Sequence, residues 1–409
     1  MLKRPSIGSE LSSSSTYDSE GGWAIGRCYF HSRKPKKLGL TEMNGTALGF
    51  VGIILLVAHL SIPLGYYSYL KKKWFTKEWD LAVDKDYKPM VTVIVPTYNE
   101  EAFIAKRLKN ITEQRYPKEL LHVMVVDSNS TDGTVQEVAG WQEKSPGNNV
   151  RLVREPDRKG KMHAIQRSLK EISTPFIMIG DADSLWDESA VSNTMKYFAD
   201  PSVCVVTASL KYLGKTGAED TYRHFYNVLT VAESKRHSTP LQSGVLQAIR
   251  MEFIDKFGLP LYSGSEDCAI ASYVAFRGFR AIRADDVWAY EPLRGGRLRT
   301  KVRRAQHNLL NFLLMRAYVR KKASPVRSRF DLIWRVQWYL YVVNPWVLIV
   351  SVALTLWGAV ALRETLALAM LLTYAIVLSV SKRARSWVLQ QVYLALALIR
   401  TLYKRPVTW

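Results

Sequence analysis

Acidic residues are scarce in this chain. Across 409 residues, 36 Asp and Glu stand against 57 Lys and Arg, a formal charge of +21. The shortage is local: from Arg294 to Arg335 the sole acid is Asp331. Cysteine is scarcer still. Cys28, Cys204 and Cys268 lack the spacing of a metal site or a redox pair and read as packing residues. Charge is absent altogether from Met43–Leu70, Val336–Leu362 and Thr365–Ser381. A helix needs about 20 apolar residues to cross the hydrocarbon core, with about 17 as the lower limit. The first two runs therefore read as membrane spans and the third as a marginal one. The uncharged run Ser386–Ile399 is too short for a span and fits an interfacial or packed helix.

The first run is too long, and begins too late, for a cleaved signal peptide, and Lys71-Lys72-Lys73 follow it in place of small residues. It is expected to stay as an anchor. Arg363-Glu364 between the second and third runs is nearly neutral, whereas Lys382, Arg383 and Arg385 follow the third. The positive-inside tendency then sets Trp74–Phe330 and the C-terminus in the cytosol, in a multi-pass protein of the cell membrane or an equivalent one. Basic residues beside a span suit anionic lipid headgroups, which makes membrane lipids the partner and argues against nucleic acid. Ser9 and the run Ser12–Ser15 mark a flexible tail over 1–42.

Between the anchors, strand-like and helix-like segments alternate, so an α/β domain with a mainly parallel sheet is expected. Val91–Val95 reads as a buried strand closed by Pro96, and Glu101–Asn110 as a helix with Phe103, Ile104 and Leu108 on its apolar face. Further strands are expected at Leu121–Val126, Val150–Val153, Phe176–Ile179 and Val203–Ala208, with helices at Val135–Trp141 and Lys161–Ile172. Phe176–Ile179 leads into Gly180-Asp-Ala-Asp183. Side chains two apart in a strand point to the same face, so Asp181 and Asp183 converge where the strand leaves the sheet, and two hard carboxylates there suit Mg²⁺ or Mn²⁺ bound to phosphate oxygens. In open α/β sheets ligands bind beyond the carboxyl ends of the strands. Thr97-Tyr-Asn-Glu100, Asp127 and the aspartate pair all fall there, which suggests one pocket. From Val302 onward, Val302, Ala305, Leu309, Phe312 and Leu313 recur at helical spacing among basic residues, the pattern of a helix lying on a membrane surface.

These motifs, in this order, resemble a membrane-embedded family-2 glycosyltransferase of the GT-A fold, close in plan to a small cellulose or hyaluronan synthase. The resemblance rests on Val91–Glu100, Val125-Val-Asp-Ser-Asn-Ser-Thr-Asp-Gly-Thr134, Lys159-Gly-Lys-Met-His-Ala-Ile165, Asp181-Ala-Asp183, Gly264-Ser-Glu-Asp267 and Thr300-Lys-Val-Arg-Arg304. It implies helices on both faces of the sheet and a catalytic domain over 74–300. Basic interfacial helices at 301–335 and an amphipathic C-terminal helix at 386–409 would flank spans at 43–70, 336–362 and 365–381. It also implies that Pro96, Thr97, Tyr98 and Glu100 border a nucleoside, with Asp127 near the base. Lys161 and Asp181 would approach the donor phosphates or ribose, and Asp183 would bind the metal with Asp181 assisting. Asp267, or Glu266, would be the general base of an inverting transfer, and Arg303, Arg304 and His307 would meet the diphosphate or the acceptor.

Two departures narrow the expectation. The family's second aspartate after the second strand is Ser128, and the aromatic residue of its late motif is Arg304. Loss of that aromatic weakens the case for polymer extrusion. The reading is therefore transfer of one sugar, with mannose from GDP-mannose as the best candidate, to a polyprenyl- or dolichol-linked glycan. The alternative is a processive synthase using a UDP-sugar.

Overall fold

A computed structural model describes residues 45–145, 147, 149–213, 217–260, 265–292, 298–322 and 328–403. The serine-rich tail, Cys28 and Gly264 lie outside them. The chain enters through helix α1 (Gly45–Leu70), which runs on through a π-helical turn at Lys71–Phe75. The first half of the soluble domain alternates β1 (Val91–Thr97), α2 (Glu101–Thr112), β2 (Leu121–Asp127), α3 (Thr134–Lys144), β3 (Val150–Arg154), α4 (Lys161–Leu169) and β4 (Phe176–Ile179). The second half holds β5 (Leu185–Trp186), α5 (Ala190–Met195), β6 (Val203–Leu213), α6 (Gly217–Arg236), β7 (Gln247–Arg250), α7 (Met251–Phe257), α8 (Glu266–Phe276) and β8 (Arg280–Pro292). Five further helices follow: α9 (Leu298–Lys322), α10 (Phe330–Trp338), α11 (Asn344–Ala361), α12 (Thr365–Val380) and α13 (Lys382–Tyr403).

The strands form one sheet in the order β3-β2-β1-β4-β7-β6-β8-β5. Pairing is parallel from β3 to β4 and between β6 and β8; β7 and β5 pair antiparallel with their neighbours. Helices cover both faces, and each face has its own apolar core. One contains Ile104, Leu108 and Ile111 of α2; the other contains Ile165 of α4 and most of α8. Every residue of β1 is buried, as expected of a parallel strand covered on both sides.

β1 does not stop at Pro96 but runs to Thr97. Ile94 O accepts from Gly180 N on the β4 side, whereas Thr97 O accepts from Ser128 N on the β2 side. By alternation Pro96 points toward β4, which has already ended, so its missing N–H breaks no ladder bond. Helix α4 ends at Leu169, short of Ile172, and Phe103 is 39% exposed, off the buried face of α2.

The apolar stripe of α9 does not lie on a membrane. Val302 and Ala305 pack on Leu394 and Ala397 of α13, and Leu309 and Phe312 are at most 1% exposed; Leu313 alone of the five is exposed, at 40%. A helical stripe records that one face is covered and says nothing of what covers it, and here the cover is protein.

Two helices among the described residues are long and apolar enough to cross a bilayer, Ala47–Phe75 and Phe330–Ala361. The second begins before the expected span, and its first turns pack Phe330, Ile333 and Trp334 into the core that contains α8. Helices α12 and α13 meet at 107°, and a third crossing follows only if this bent pair counts as one. Helices α1 and α11 approach through glycine: a Cβ at Gly52 would lie 2.7 Å from Thr355 N. Such small-residue contacts let membrane helices pack closely where no hydrophobic drive joins them. The soluble domain is pinned to this bundle by the buried Glu233 of α6. Its carboxylate accepts from Tyr66 of α1 at 2.8 Å, Gln337 of α10 at 2.6 Å and Thr239 at 2.7 Å.

Candidate active site

The carboxyl ends of β1, β2, β3 and β4 lie side by side, and they and the loops leaving them carry the residues that the sequence assigns to the donor and the metal. Glu266 and Asp267 stand on α8, and Arg303, Arg304 and His307 on α9. The loops after β1 and β2 are stitched together. Asn99 and Asn129 both adopt left-handed backbone, with φ of 54° and 61°. Asn99 N donates to Ser130 Oγ at 2.9 Å, and Thr131 N donates to Asn99 Oδ1 at 2.9 Å. Asp127 is fully buried and serves this same corner, accepting from Ser130 N at 3.0 Å and from the Ser130 hydroxyl. Thr97 is buried beside it. Glu100 N donates to Thr134 Oγ1 at 2.8 Å, and the ring of Tyr98 lies 3.7 Å beneath the Arg158 guanidinium.

Asp181 and Asp183 do not lie on a strand. β4 ends at Ile179, and Ser184 Oγ donates to Asp181 O at 2.8 Å to close a turn. The packing behind this turn requires glycine: a Cβ at Gly180 would lie 2.3 Å from Arg107 Nη2 and 2.6 Å from Trp186. Arg107 is fully buried behind the turn, its guanidinium 4.0 Å from the Trp186 ring centroid. Burial pushes it down to about 9, against the opposing pull of Asp181 and Asp183. The sequence offered a signal for this residue: Arg107 occupies the core-facing stripe of α2 with Ile104, Leu108 and Ile111.

Lys161 is buried. Gly160, at φ 93°, turns the chain into α4 and makes Lys161 its first residue, where the helix dipole disfavours a cation. Two carboxylates offset that. Its ammonium, 8% exposed, lies 2.7 Å from Asp181 Oδ1 and 2.8 Å from Glu266 Oε1. Burial alone would push Lys161 down; Asp181 and Glu266 outweigh it and hold the ammonium above its usual range. Beside it, a Cβ at Gly244 would meet Lys161 Nζ at 2.8 Å, so this corner has no room for a side chain from the β6–β7 connection.

Glu266 and Asp267 open helix α8, where acids are favoured. Burial opposes ionisation of Glu266, but Lys161 wins and keeps it below its usual range. Asp267, 8% exposed, accepts from the Ser265 hydroxyl and from Cys268 N at 2.8 Å. Burial, then the neighbouring Glu266 charge, pushes it up to about 6. Two adjacent carboxylates thus differ in kind: one is locked as an anion, and the other can take up a proton near neutral pH. Helix α9 adjoins them, with His307 O accepting from Ser265 N at 3.3 Å. Arg303 is half-buried and held below its ordinary value by burial, then by Arg304 and Arg400, against the pull of Glu266. Arg304 is exposed, and no contact ties it to the carboxylates.

No group of three or more metal-ligating side chains occurs among the described residues. Asp181 and Asp183 still fit a hard divalent cation, because Mg²⁺ and Mn²⁺ are commonly held by one or two carboxylates, with water and substrate phosphates completing the shell. A hollow of about 790 Å³ bordered by Tyr87, Phe176 and Arg250 lies at the opposite, amino end of β4 and belongs to no part of this cluster.

The profile of glycosyl transferase family 2 matches residues 92–258. The solved structure of mannosyltransferase PcManGT from Pyrobaculum calidifontis, in complex with GDP-Man and Mn²⁺, aligns with a TM-score of 0.77 and 38% identity, over 87% of this chain and 99% of that one. Among curated proteins, glycosyltransferase AglE of Haloferax volcanii is 27% identical over 209 residues, 50% of this chain and 68% of that protein. Dolichyl N-acetyl-alpha-D-glucosaminyl phosphate 3-beta-D-2,3-diacetamido-2,3-dideoxy-beta-D-glucuronosyltransferase of Methanococcus voltae is 29% identical over 108 residues, 26% of this chain and 33% of that protein. The hyaluronan synthase of Streptococcus pyogenes is 26% identical over 250 residues, 56% and 57%. The chain thus spans from 33% to 68% of the length of these curated relatives.

Proposed function

The chain belongs to glycosyltransferase family 2, and from that premise we propose that it moves one mannosyl unit from GDP-mannose to a polyprenyl- or dolichol-linked glycan at the cytosolic membrane face. The observation that carries this reading is the bridge Asp181–Lys161–Glu266. One buried cation joins the turn that would hold a donor diphosphate to the helix terminus that would meet an acceptor. The solved relative bound to GDP-Man and Mn²⁺ supports the choice of donor.

In this account Tyr98, Pro96, Thr97 and Glu100 border the nucleoside, and Asp127 holds the floor of its cleft. Asp183, with Asp181, holds Mg²⁺ or Mn²⁺, which when bound supplies positive charge to the departing diphosphate. Lys161 adds a second cation there and keeps Glu266 ionised. Asp267 takes the proton of the acceptor hydroxyl as that oxygen bonds the anomeric carbon and the bond to the diphosphate breaks. One displacement gives inverted configuration. Arg303 and His307 stand on the acceptor side, with Arg304 at its exposed rim. Helix α9, packed on α13 and so on the membrane bundle, carries them to the height of a lipid-linked acceptor.

The purified protein, assayed in detergent with Mn²⁺ and a panel of nucleotide sugars, should release nucleoside diphosphate fastest from GDP-mannose. The margin over UDP-sugars should be at least about tenfold, as a base-reading pocket gives. A faster UDP-sugar would overturn the mannosyl reading in favour of a processive synthase.

A further inference from the structure

Glu155 is a buried carboxylate that the account above leaves without work. It follows β3, and its N–H donates to Asp127 O at 2.8 Å, so strand pairing carries it to the same level as the end of β2. It is 3% exposed. Its carboxylate accepts from the Ser128 hydroxyl at 2.8 Å and lies 2.6 Å from His163 Nδ1. Among the described residues no lysine or arginine pairs with it, and its one ionisable partner is that histidine. A buried carboxylate with no lysine or arginine beside it needs hydrogen-bond donors for its oxygens, and a ligand can supply them.

We propose that Glu155 reads the nucleobase of the donor, accepting the paired N1–H and exocyclic N–H of guanine. The inference rests on the nucleotide-sugar reading above and specifies how the base is chosen.

Three observations carry it. The first is reach. The diphosphate belongs at the end of β4, and Glu155 stands at the end of β3, with β1 and β2 between them. Three strand spacings are about 14 Å, which matches an extended nucleoside diphosphate laid across the sheet. The second is the surface in between. Tyr98, at the end of β1, lies beneath the exposed Arg158, a flat platform on which a base can stack. The third is donor–acceptor chemistry. Both oxygens of a carboxylate accept and neither donates. Guanine offers two parallel donors on one edge; uracil offers a single N–H between two carbonyls. Asp127 is held at both oxygens by Ser130 of its own loop, whereas one oxygen of Glu155 is held only by His163. The base gains Glu155 by displacing His163, whose side chain is 43% exposed.

Glu155→Gln tests this, because the amide keeps the shape and turns one acceptor into a donor. Binding of GDP, UDP and xanthosine diphosphate is measured by calorimetry on the full chain in detergent. Xanthine replaces the guanine amine with a carbonyl, the complement of an amide. The variant should lose at least about tenfold in GDP affinity and gain xanthosine diphosphate binding, a gain that no folding defect produces. The parental protein supplies a check that does not depend on the variant. Inosine diphosphate, which lacks the exocyclic amine, should bind it at least about tenfold more weakly than GDP. A parental preference for UDP over GDP overturns the guanine donor itself. A parental preference for GDP, together with an unchanged ratio of GDP to xanthosine diphosphate in the variant, or equal parental affinity for inosine diphosphate and GDP, overturns the role of Glu155 alone.

Discussion

Asparagine in place of Asp267 should lower sugar transfer by about a hundredfold or more and leave the affinity for GDP within about twofold of the parental value. General-base catalysis contributes roughly 10²–10⁴ to rates, and a base acting on the acceptor proton has no part in holding the nucleotide. The substitution removes the charge and keeps the shape, so the contacts from Ser265 and Cys268 retain an acceptor oxygen. A second readout distinguishes catalysis from folding. Asp267 works deprotonated, and burial with the Glu266 charge lifts it to about 6. The parental rate should therefore be level above about pH 7 and fall about tenfold per unit below about pH 6, a limb that the residual rate of the variant should lack. Transfer at the parental rate by Asp267→Asn would remove Asp267 from the mechanism. Glu266 is a poor replacement, since Lys161 holds it as an anion with little affinity for the proton.

Asp183→Asn should cost a further large factor, about 10²–10³ in turnover at saturating Mn²⁺, the scale seen when one element of charge stabilisation at the leaving group is removed. Activity is not the sole readout. In the parental protein Mn²⁺ with GDP should raise the melting temperature above that given by GDP alone, because a ligand that binds the native state stabilises it by mass action. In Asp183→Asn that additional rise should vanish while the shift from GDP alone persists. Parental turnover by the variant in the presence of a chelator would show that this carboxylate holds no catalytic ion.

The strands of the first half were legible because the signal was local. Phe176–Ile179 is apolar throughout, and Val91–Val95 and Leu121–Val126 are apolar but for Thr92 and His122, as suits strands covered on both faces. The loops that follow them are equally local, and so the sequence pointed to one pocket at their ends. What it missed was set by contacts between distant parts of the chain. The resemblance marks Lys161 for the donor phosphates, but nothing local foretells its second partner, Glu266 of α8. The aspartate pair reads as the end of a strand, but it sits in a turn closed by Ser184 and backed by Arg107 and Trp186, residues distant in the chain or beyond the motif. β7, at four residues, is too short to carry an alternation, and β8 contains Arg283, Asp285 and Asp286, which hide it among polar segments. The stripe on α9 reads as a helix lying on a membrane surface, whereas α13 and the core around α8 cover most of it. Arg107 and Glu155 left fainter signals: a cation at a core-facing helical position, and an acid directly after a strand.

The central claim is that this cluster performs one inverting transfer from a guanine nucleotide sugar to a lipid-linked saccharide. It is tested most directly by incubating the full chain, in lipid vesicles with Mn²⁺, with GDP-α-mannose and a short polyprenyl-linked acceptor. The lipid product is then extracted for mass spectrometry and NMR of the new anomeric centre. The account predicts one added hexose in the β configuration and one equivalent of GDP released. A ladder of longer products, an α linkage, or release of GDP with no change in the lipid would contradict it.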